Sequence, residues 1–209
     1  MNKKIIPAII AKNQEELEEK IDKVKDKFDI IQLDIMDGKF VPNNSIDFNF
    51  QIPETKCNYE AHLMINNPKD WIENNYSKVD TILVHVESTD KYEKIINLVK
   101  NKKKNIGFVL NPETSIDVIK KYINQIDQIL IMTVNPGFYG SPFLPEMIDK
   151  ISILRKTAPK LNIEVDGGIT DKTINLVDKA GANMFVSGSY IIKSKNIDIA
   201  INKLREIIR

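Results

Sequence analysis

Two carboxylates three residues apart, Asp34 and Asp37, stand in the stretch Gln32 to Asn43, which reads Q-L-D-I-M-D-G-K-F-V-P-N. An apolar run, Phe28 to Ile31, feeds this segment, and its acids, glycine and proline mark a buried strand running out into a loop. Side chains alternate along a strand, so Gln32, Asp34 and Met36 share one face, while Asp37 turns away or belongs to the loop. A carboxylate, an amide and a thioether on one strand face are odd for a plain core. His62 and Asp166 also close apolar runs of their own. Two acids and an imidazole that converge can bind a divalent metal, and acids on opposite sides of a substrate can take and return a proton. For any one of the three alone a hydrogen bond to a neighbouring loop is the better account, but three strand ends together favour the functional reading.

A second set is rich in glycine: Asn135-Pro136-Gly137-Phe138-Tyr139-Gly140, Asp166-Gly167-Gly168 and Ser187-Gly188-Ser189. Glycine turns after the last strands let backbone amides approach an anion, which points to a phosphorylated small molecule. A third set is Met36, Met64 and Met132, each near a strand end. Methionines fill core gaps, but three facing one mouth would make a soft apolar floor beside the acids. His85 reads as structural, Trp71 as surface or helix packing, and Cys57 as a core thiol.

The elements that must position these groups follow a rhythm. Short apolar runs begin near Lys4, Asp29, Lys56, Asp80, Asn105, Asp127, Asn162 and Asn183, and longer segments with helical spacing follow them. Asn13 and Glu16 resemble a capping arrangement opening a helix on Leu17, Ile21 and Val24. Further helices carry Ile151, Ile153 and Leu154, then Ile174 and Val177, and Ile197 to Ile208 closes the chain. Asn43 to Gln51 is a poor helix and reads as a long loop. Eight βα units favour a closed (β/α)8 barrel over an open doubly wound sheet. Its mouth would gather Asp34, His62, His85, Asn111, residues 134–140, 166–168 and 188–189.

The bulk numbers agree with one domain spanning residues 1–209. Thirty basic residues nearly cancel 29 acidic ones, leaving a formal charge of +1, so no field argues for nucleic acid or an acidic membrane face. A single cysteine excludes an internal disulfide and agrees with a reducing cytoplasm. Neither a membrane-length apolar run nor a signal-type leader is present, so a cytoplasmic location is expected.

With these segments in hand, the chain resembles the ribulose-phosphate 3-epimerases nearly end to end. The likeness rests on L-D-I-M-D-G-K-F-V-P-N (33–43), A-H-L-M-I (61–65), M-T-V-N-P-G-F (132–138), E-V-D-G-G-I (164–169) and S-G-S (187–189). The resemblance implies a TIM barrel of the ribulose-phosphate-binding type that interconverts D-ribulose 5-phosphate and D-xylulose 5-phosphate. It implies Asp34 and Asp166 as the acid/base pair on opposite faces of the sugar. Both would ligate one divalent metal, zinc, manganese, iron, cobalt or magnesium, together with His62. It implies substrate and phosphate contacts from His62, Gly137, Phe138, Tyr139, Gly140, Gly167, Gly168, Gly188 and Ser189, and a lining of Met36, Met64 and Met132.

The chain departs from that pattern at several positions. Gln32 stands where the family carries a histidine, the fourth metal ligand; a glutamine oxygen is harder and weaker than imidazole, which lowers zinc affinity and favours manganese or magnesium. Ala8 follows Pro7 where a serine is usual, Asn13 replaces an aspartate, and Tyr139 and Ser141 replace a glycine and a glutamine. These departures keep two other readings in view: an epimerase of a six-carbon ketose phosphate of the allulose 6-phosphate type, and a barrel that binds a sugar phosphate without turnover. Apolar helix faces on such barrels commonly pair, so a homo-oligomer is expected.

Overall fold

The computed structural model describes residues 2–138 and 140–209; Tyr139, one of the expected phosphate-loop positions, lies outside the described residues. Parallel strands alternate with helical segments. Strand β1 runs Lys4–Ile6 and resumes as Ala8–Ile9, followed by β2 (Ile30–Asp37), β3 (Asn58–Met64), β4 (Thr81–His85), β5 (Asn105–Leu110), β6 (Gln128–Met132), β7 (Asn162–Asp166) and β8 (Met184–Val186). Each strand pairs with the next in order, and the first half of β1 pairs with β8 while its second half pairs with β2. Pro7 divides the two halves because it has no N–H to give the ladder. Its carbonyl still accepts from Gln32 N at 3.0 Å, and the carbonyl of Ile6 accepts from Ser187 N at 2.8 Å. The ring is therefore closed through β1, as the eightfold rhythm predicts.

The helices are α1 (Gln14–Val24), α2 (Pro68–Asn75), α3 (Tyr92–Asn101), α4 (Met147–Thr157), α5 (Ile174–Ala180), the short α6 (Ser189–Ile192) and α7 (Ile197–Ile207). Asn13 caps α1 by accepting from Glu16 N at 2.9 Å, and Leu17, Ile21 and Val24 are the buried stripe. Glu16 reaches back to Lys12 N rather than to the cap itself. Two helical segments differ in detail from a regular inward-facing α-helix. Ile153 of α4 is 52% exposed, because its neighbours Ile151 and Leu154 already define the inward face and the 100° step turns residue 153 outward. Between β5 and β6 the chain forms a 3-10 helix, Ile116–Gln125, and not an α-helix. Asn43 to Gln51 is a loop as expected, apart from a two-residue strand, Asn44–Ser45, antiparallel to the end of β2. Phe50 from this loop is buried and stacks on Trp71 of α2, covering the outer side of the barrel where a helix would otherwise lie.

Alternation divides the packing. Outward strand residues such as Leu33, Leu63, Ile82, Phe108, Ile129 and Phe185 join the helices in one large apolar layer. Inward residues make three smaller clusters: Leu83, Val109, Leu130, Met132 and Val134; Ile6, Ala8, Met184 and Val186; and Ile10, Met36, Val41 and Met64. The rest of the interior is polar, for Gln32, Glu60, His62, His85, Gln128 and Glu164 are all buried. Apolar barrel contents cannot satisfy so many polar groups, so these must satisfy one another. Among the described residues no helix is long and apolar enough to cross a membrane.

Candidate active site

Asp34 on β2 lies in register with His62 on β3, and Met36 with Met64. Asp166 ends β7 in register with Met132 on one side and Val186 on the other. Closure of the ring turns all of these side chains toward one point at the C-terminal ends of the strands. His62 Nδ1 lies 3.2 Å from Asp34 Oδ1 and 3.3 Å from Asp166 Oδ2. Gln32 reaches the same point: its Nε2 donates to Asp34 Oδ1 and to Asp166 Oδ2, both at 2.8 Å. The two N–H bonds of one amide thus serve the two acids, and the amide oxygen Oε1 is buried without a hydrogen-bond partner. Asp34 and Asp166 are aimed at each other and bridged by a polar group, with no hydrocarbon between them.

Burial raises the pKa of the Asp34 carboxyl above the usual carboxylate range, helped by the charge of Asp166 and opposed by its bonds to His62 and Gln32. For His62 burial acts downward, but hydrogen bonds to Asp166 and Asp34 outweigh it and lift the imidazole to about 9. Asp37 has a different task. Its carboxylate accepts from the backbone N–H groups of Lys39, Phe40 and Asn66 and pins the loop after β2 to the end of β3. Those bonds hold its pKa below the ordinary aspartate value despite the opposing effect of burial.

The pocket above the acids is lined by Ala8, Met36, Met64 and Met132 and by Gly137, Phe138, Gly140, Gly167, Gly168, Gly188 and Ser189. The expected acids, imidazole, glycine turns and methionines that the structure describes therefore border one cavity, while Gln32 lies beneath it and His85 and Asn111, expected at the same mouth, do not line it. The three methionines are buried. Met36 and Met64 pack together while Met132 belongs to a separate cluster across the mouth. Gly167 has φ +115°, and a Cβ there would sit 2.3 Å from Val134 Cγ2, so both the turn and the close packing demand glycine. Thr133 clamps this turn by donating its hydroxyl to the carbonyls of Asp166 and Gly167. Asn43 ties the other rim loop down by donating to the carbonyl of Gly137 at 2.8 Å.

Sequence reading missed part of the site. His85, taken as structural, places its Nε2 2.9 Å from His62 Nε2, and its Nδ1 faces Glu87 Oε2 at 3.2 Å. Strand β4 is apolar on both faces, so nothing local marked which way His85 points. Beneath the acids, Gln128 Nε2 donates to Glu164 Oε2 at 2.7 Å and to Glu60 Oε2 at 3.3 Å. Burial raises both glutamates, Glu60 to about 7 and Glu164 well above its ordinary value. Period-two spacing with His62 and Asp166 was the available signal for these two.

The donor set can hold a metal ion. Asp34, His62 and Asp166 each offer one ligand atom, all within 4.8 Å of one another. The 3.2 and 3.3 Å separations suit neighbouring ligands around a small cation with bonds of about 2.0–2.2 Å. The unpartnered Gln32 Oε1 supplies a further oxygen donor if the amide turns over.

Known proteins resemble this chain over nearly its whole length. Ribulose-phosphate 3-epimerase of Bacillus subtilis is 36% identical, covering 97% of this chain and 98% of the relative. Its counterpart in Schizosaccharomyces pombe is 32% identical over 98% and 93%, and the cytoplasmic isoform of Oryza sativa is 35% identical over 98% and 94%. Solved structures share the fold at low identity. KGPDC from Streptococcus mutans superposes with a TM-score of 0.70 at 14% identity over 100% of this chain and 98% of that one. 3-Keto-L-gulonate-6-phosphate decarboxylase from Vibrio cholerae gives 0.72 at 13% over 100% and 98%. The profile of the Ribulose-phosphate 3 epimerase family matches residues 4–192, and the chain belongs to that family.

Proposed function

We propose that this protein interconverts D-ribulose 5-phosphate and D-xylulose 5-phosphate by moving a proton at carbon 3. The observation that carries the reading is the meeting of Asp34 and Asp166, from nearly opposite strands, at a single amide group. Inversion at carbon requires a base on one face of the sugar and an acid on the other, and two converging carboxylates supply both. One acid removes the proton from carbon 3, leaving an enediolate, and the other returns a proton from the far side. The raised pKa of Asp34 suits this exchange, since a carboxyl held above its ordinary value is a stronger base.

Asp34, His62 and Asp166 would hold the divalent metal, with Gln32 Oε1 as the candidate fourth ligand. When bound, the ion supplies Lewis-acid stabilisation of the negative charge that develops on the sugar oxygens. A hard amide oxygen in that position favours manganese or magnesium over zinc. Gly137, Phe138, Gly140, Gly167, Gly168, Gly188 and Ser189 border the end of the pocket where the phosphate would lie, and Met36, Met64 and Met132 keep water from the enediolate. A cytoplasmic, homo-oligomeric enzyme of sugar-phosphate metabolism is the setting that fits this reading.

Turnover of D-ribulose 5-phosphate tests it, measured beside a six-carbon ketose 6-phosphate with manganese, magnesium, iron, cobalt and zinc in turn. The pentulose is expected to turn over with the higher kcat/KM. In Asp166→Asn, interconversion of the two pentulose phosphates is expected to fall by at least about a hundredfold while substrate still binds. Retained interconversion in that variant refutes the assignment, and a preference for the hexulose refutes the substrate.

A further inference from the structure

We propose that Glu87 and His85 form a hydrogen-bond relay that fixes a proton on His62 Nε2, so that Nδ1 is the nitrogen that gives up its proton to ligate metal beside Asp34 and Asp166. The inference rests on the metal-site reading above, and it makes both residues positioning residues for His62.

The directions of the bonds follow from what each group can give. Glu87 sits in a tight turn just past β4, and its carboxylate is surrounded by donors: Asn111 N at 2.9 Å and the Thr114 hydroxyl on Oε1, and His85 Nδ1 at 3.2 Å on Oε2. An ionised carboxylate only accepts, so His85 must carry its proton on Nδ1. A neutral His85 then turns a lone pair on Nε2 toward His62 Nε2, 2.9 Å away. Two ring nitrogens at that distance need one hydrogen between them, and His62 must supply it. The remaining nitrogen of His62, Nδ1, is the one facing the acids. Metal-ligating imidazoles are commonly held by a bond from the other nitrogen, and here a second imidazole stands between the ligand and the carboxylate.

The surroundings keep the relay in line. Both rings are fully buried and lie end to end, nearly coplanar, with 19° between their planes and 5.1 Å between centroids, and Phe40 from the pinned loop after β2 packs on His85 at 4.8 Å. Lys150 of α4 donates to the carbonyls of Asn111 and Pro112 at 2.9 and 2.7 Å, steadying the segment that grips Glu87.

The test uses the fact that the chain has only two histidines, both in the relay. Nitrogen-15 spectra of histidine-labelled protein, with zinc as the diamagnetic probe, report each ring nitrogen without background. His85 is expected as the Nδ1–H tautomer with and without zinc, and His62 is expected to keep Nε2–H while Nδ1 shifts on binding. A neutral His62 protonated on Nδ1, or a His85 protonated on both nitrogens, overturns the relay. In Glu87→Gln the amide can donate to His85 Nδ1, which reverses the chain and puts a proton on His62 Nδ1. Zinc affinity, measured by chelator competition, is expected to fall about 10- to 100-fold, with the tautomers reversed in the spectra. Zinc binding lost in Asp34→Asn but unchanged in Glu87→Gln overturns the relay alone; binding unchanged in both overturns the metal reading beneath it. A purely structural role for Glu87 would lower melting temperature and leave the tautomers as they are, which also counts against the proposal.

Discussion

Gln32 uses both hydrogens of one amide on two acids that come from strands far apart in sequence, at 2.8 Å each. This is what a buried pair of carboxylates needs in addition to the His62 imidazole, because each otherwise pays the cost of burial and of the other's charge. The same side chain leaves Oε1 without a partner, so the amide is well placed for the acids and poorly placed for itself. Replacing it with imidazole tests what this trade does to metal choice. Gln32→His is expected to tighten zinc binding by at least about tenfold relative to manganese, since imidazole suits zinc better than an amide oxygen does. Competition with a calibrated chelator reads the change, and an unaltered zinc-to-manganese ratio would mean that residue 32 is not a ligand.

At the scale of elements, the question is how strands and helices are joined firmly enough to hold side chains to a few tenths of an ångström. Arg155 near the end of α4 gives one answer. Its Nε donates to the Gly181 carbonyl at 2.8 Å, Nη1 to the carbonyls of Ala158, Pro159 and Leu161, and Nη2 to Asn183 Oδ1 at 3.0 Å. One guanidinium therefore joins the ends of α4 and α5 to the starts of β7 and β8, the strands that carry Asp166 and the Gly188 turn. Gly181 permits it, for its φ is +111° and a Cβ would meet Arg155 Cγ at 2.7 Å. Lysine cannot reproduce a planar fork of five donors. Arg155→Lys is expected to cost about 2–4 kcal/mol, because several carbonyls lose their partner together. Urea unfolding would show it, and a loss below about 0.5 kcal/mol, the range of an ordinary surface substitution, would mean that water replaces the guanidinium without penalty.

Over the whole molecule, the polar barrel interior ties stability to pH. Glu60 titrates near 7 in the fold against an ordinary value of 4.5. A carboxyl whose folded pKa is raised contributes stability in full below its unfolded value and loses it as pH rises through the folded one. His62, raised to about 9 from 6.5, loses its contribution between those values. His85 is pushed down to about 4 by burial, against the pull of Glu87, so it adds stability as pH climbs from 4 to 6.5 and nothing above. The metal-free protein is therefore expected to lose stability as pH rises from about 4.5 toward 9, with His85 offsetting part of the loss below pH 6.5. Glu60→Gln isolates one contribution, because an amide mimics the protonated carboxyl in size and hydrogen bonding. The stability advantage of this variant is expected to grow by roughly 2–3 kcal/mol between about pH 5 and pH 8. A constant difference across that range would place the titration elsewhere.

Much of this was determined by the sequence alone. Local interactions set it: apolar runs and turn residues placed the eight strands, Asn13 announced α1, and alternation put Gln32, Asp34 and Met36 on one face before any neighbour was known. The departures of residue 32 and residue 8 from the family pattern were equally visible. Tertiary structure alone decided which polar side chains meet. Gln32 and Asp166 are 134 positions apart, and Glu60 and Gln128 are 68 apart; their contacts arise from closing the ring, which no local preference encodes. His85 shows the reason most plainly. On a strand apolar on both faces, burial is the same whichever way a residue points, so only the closed barrel could tell a core histidine from one that touches the site.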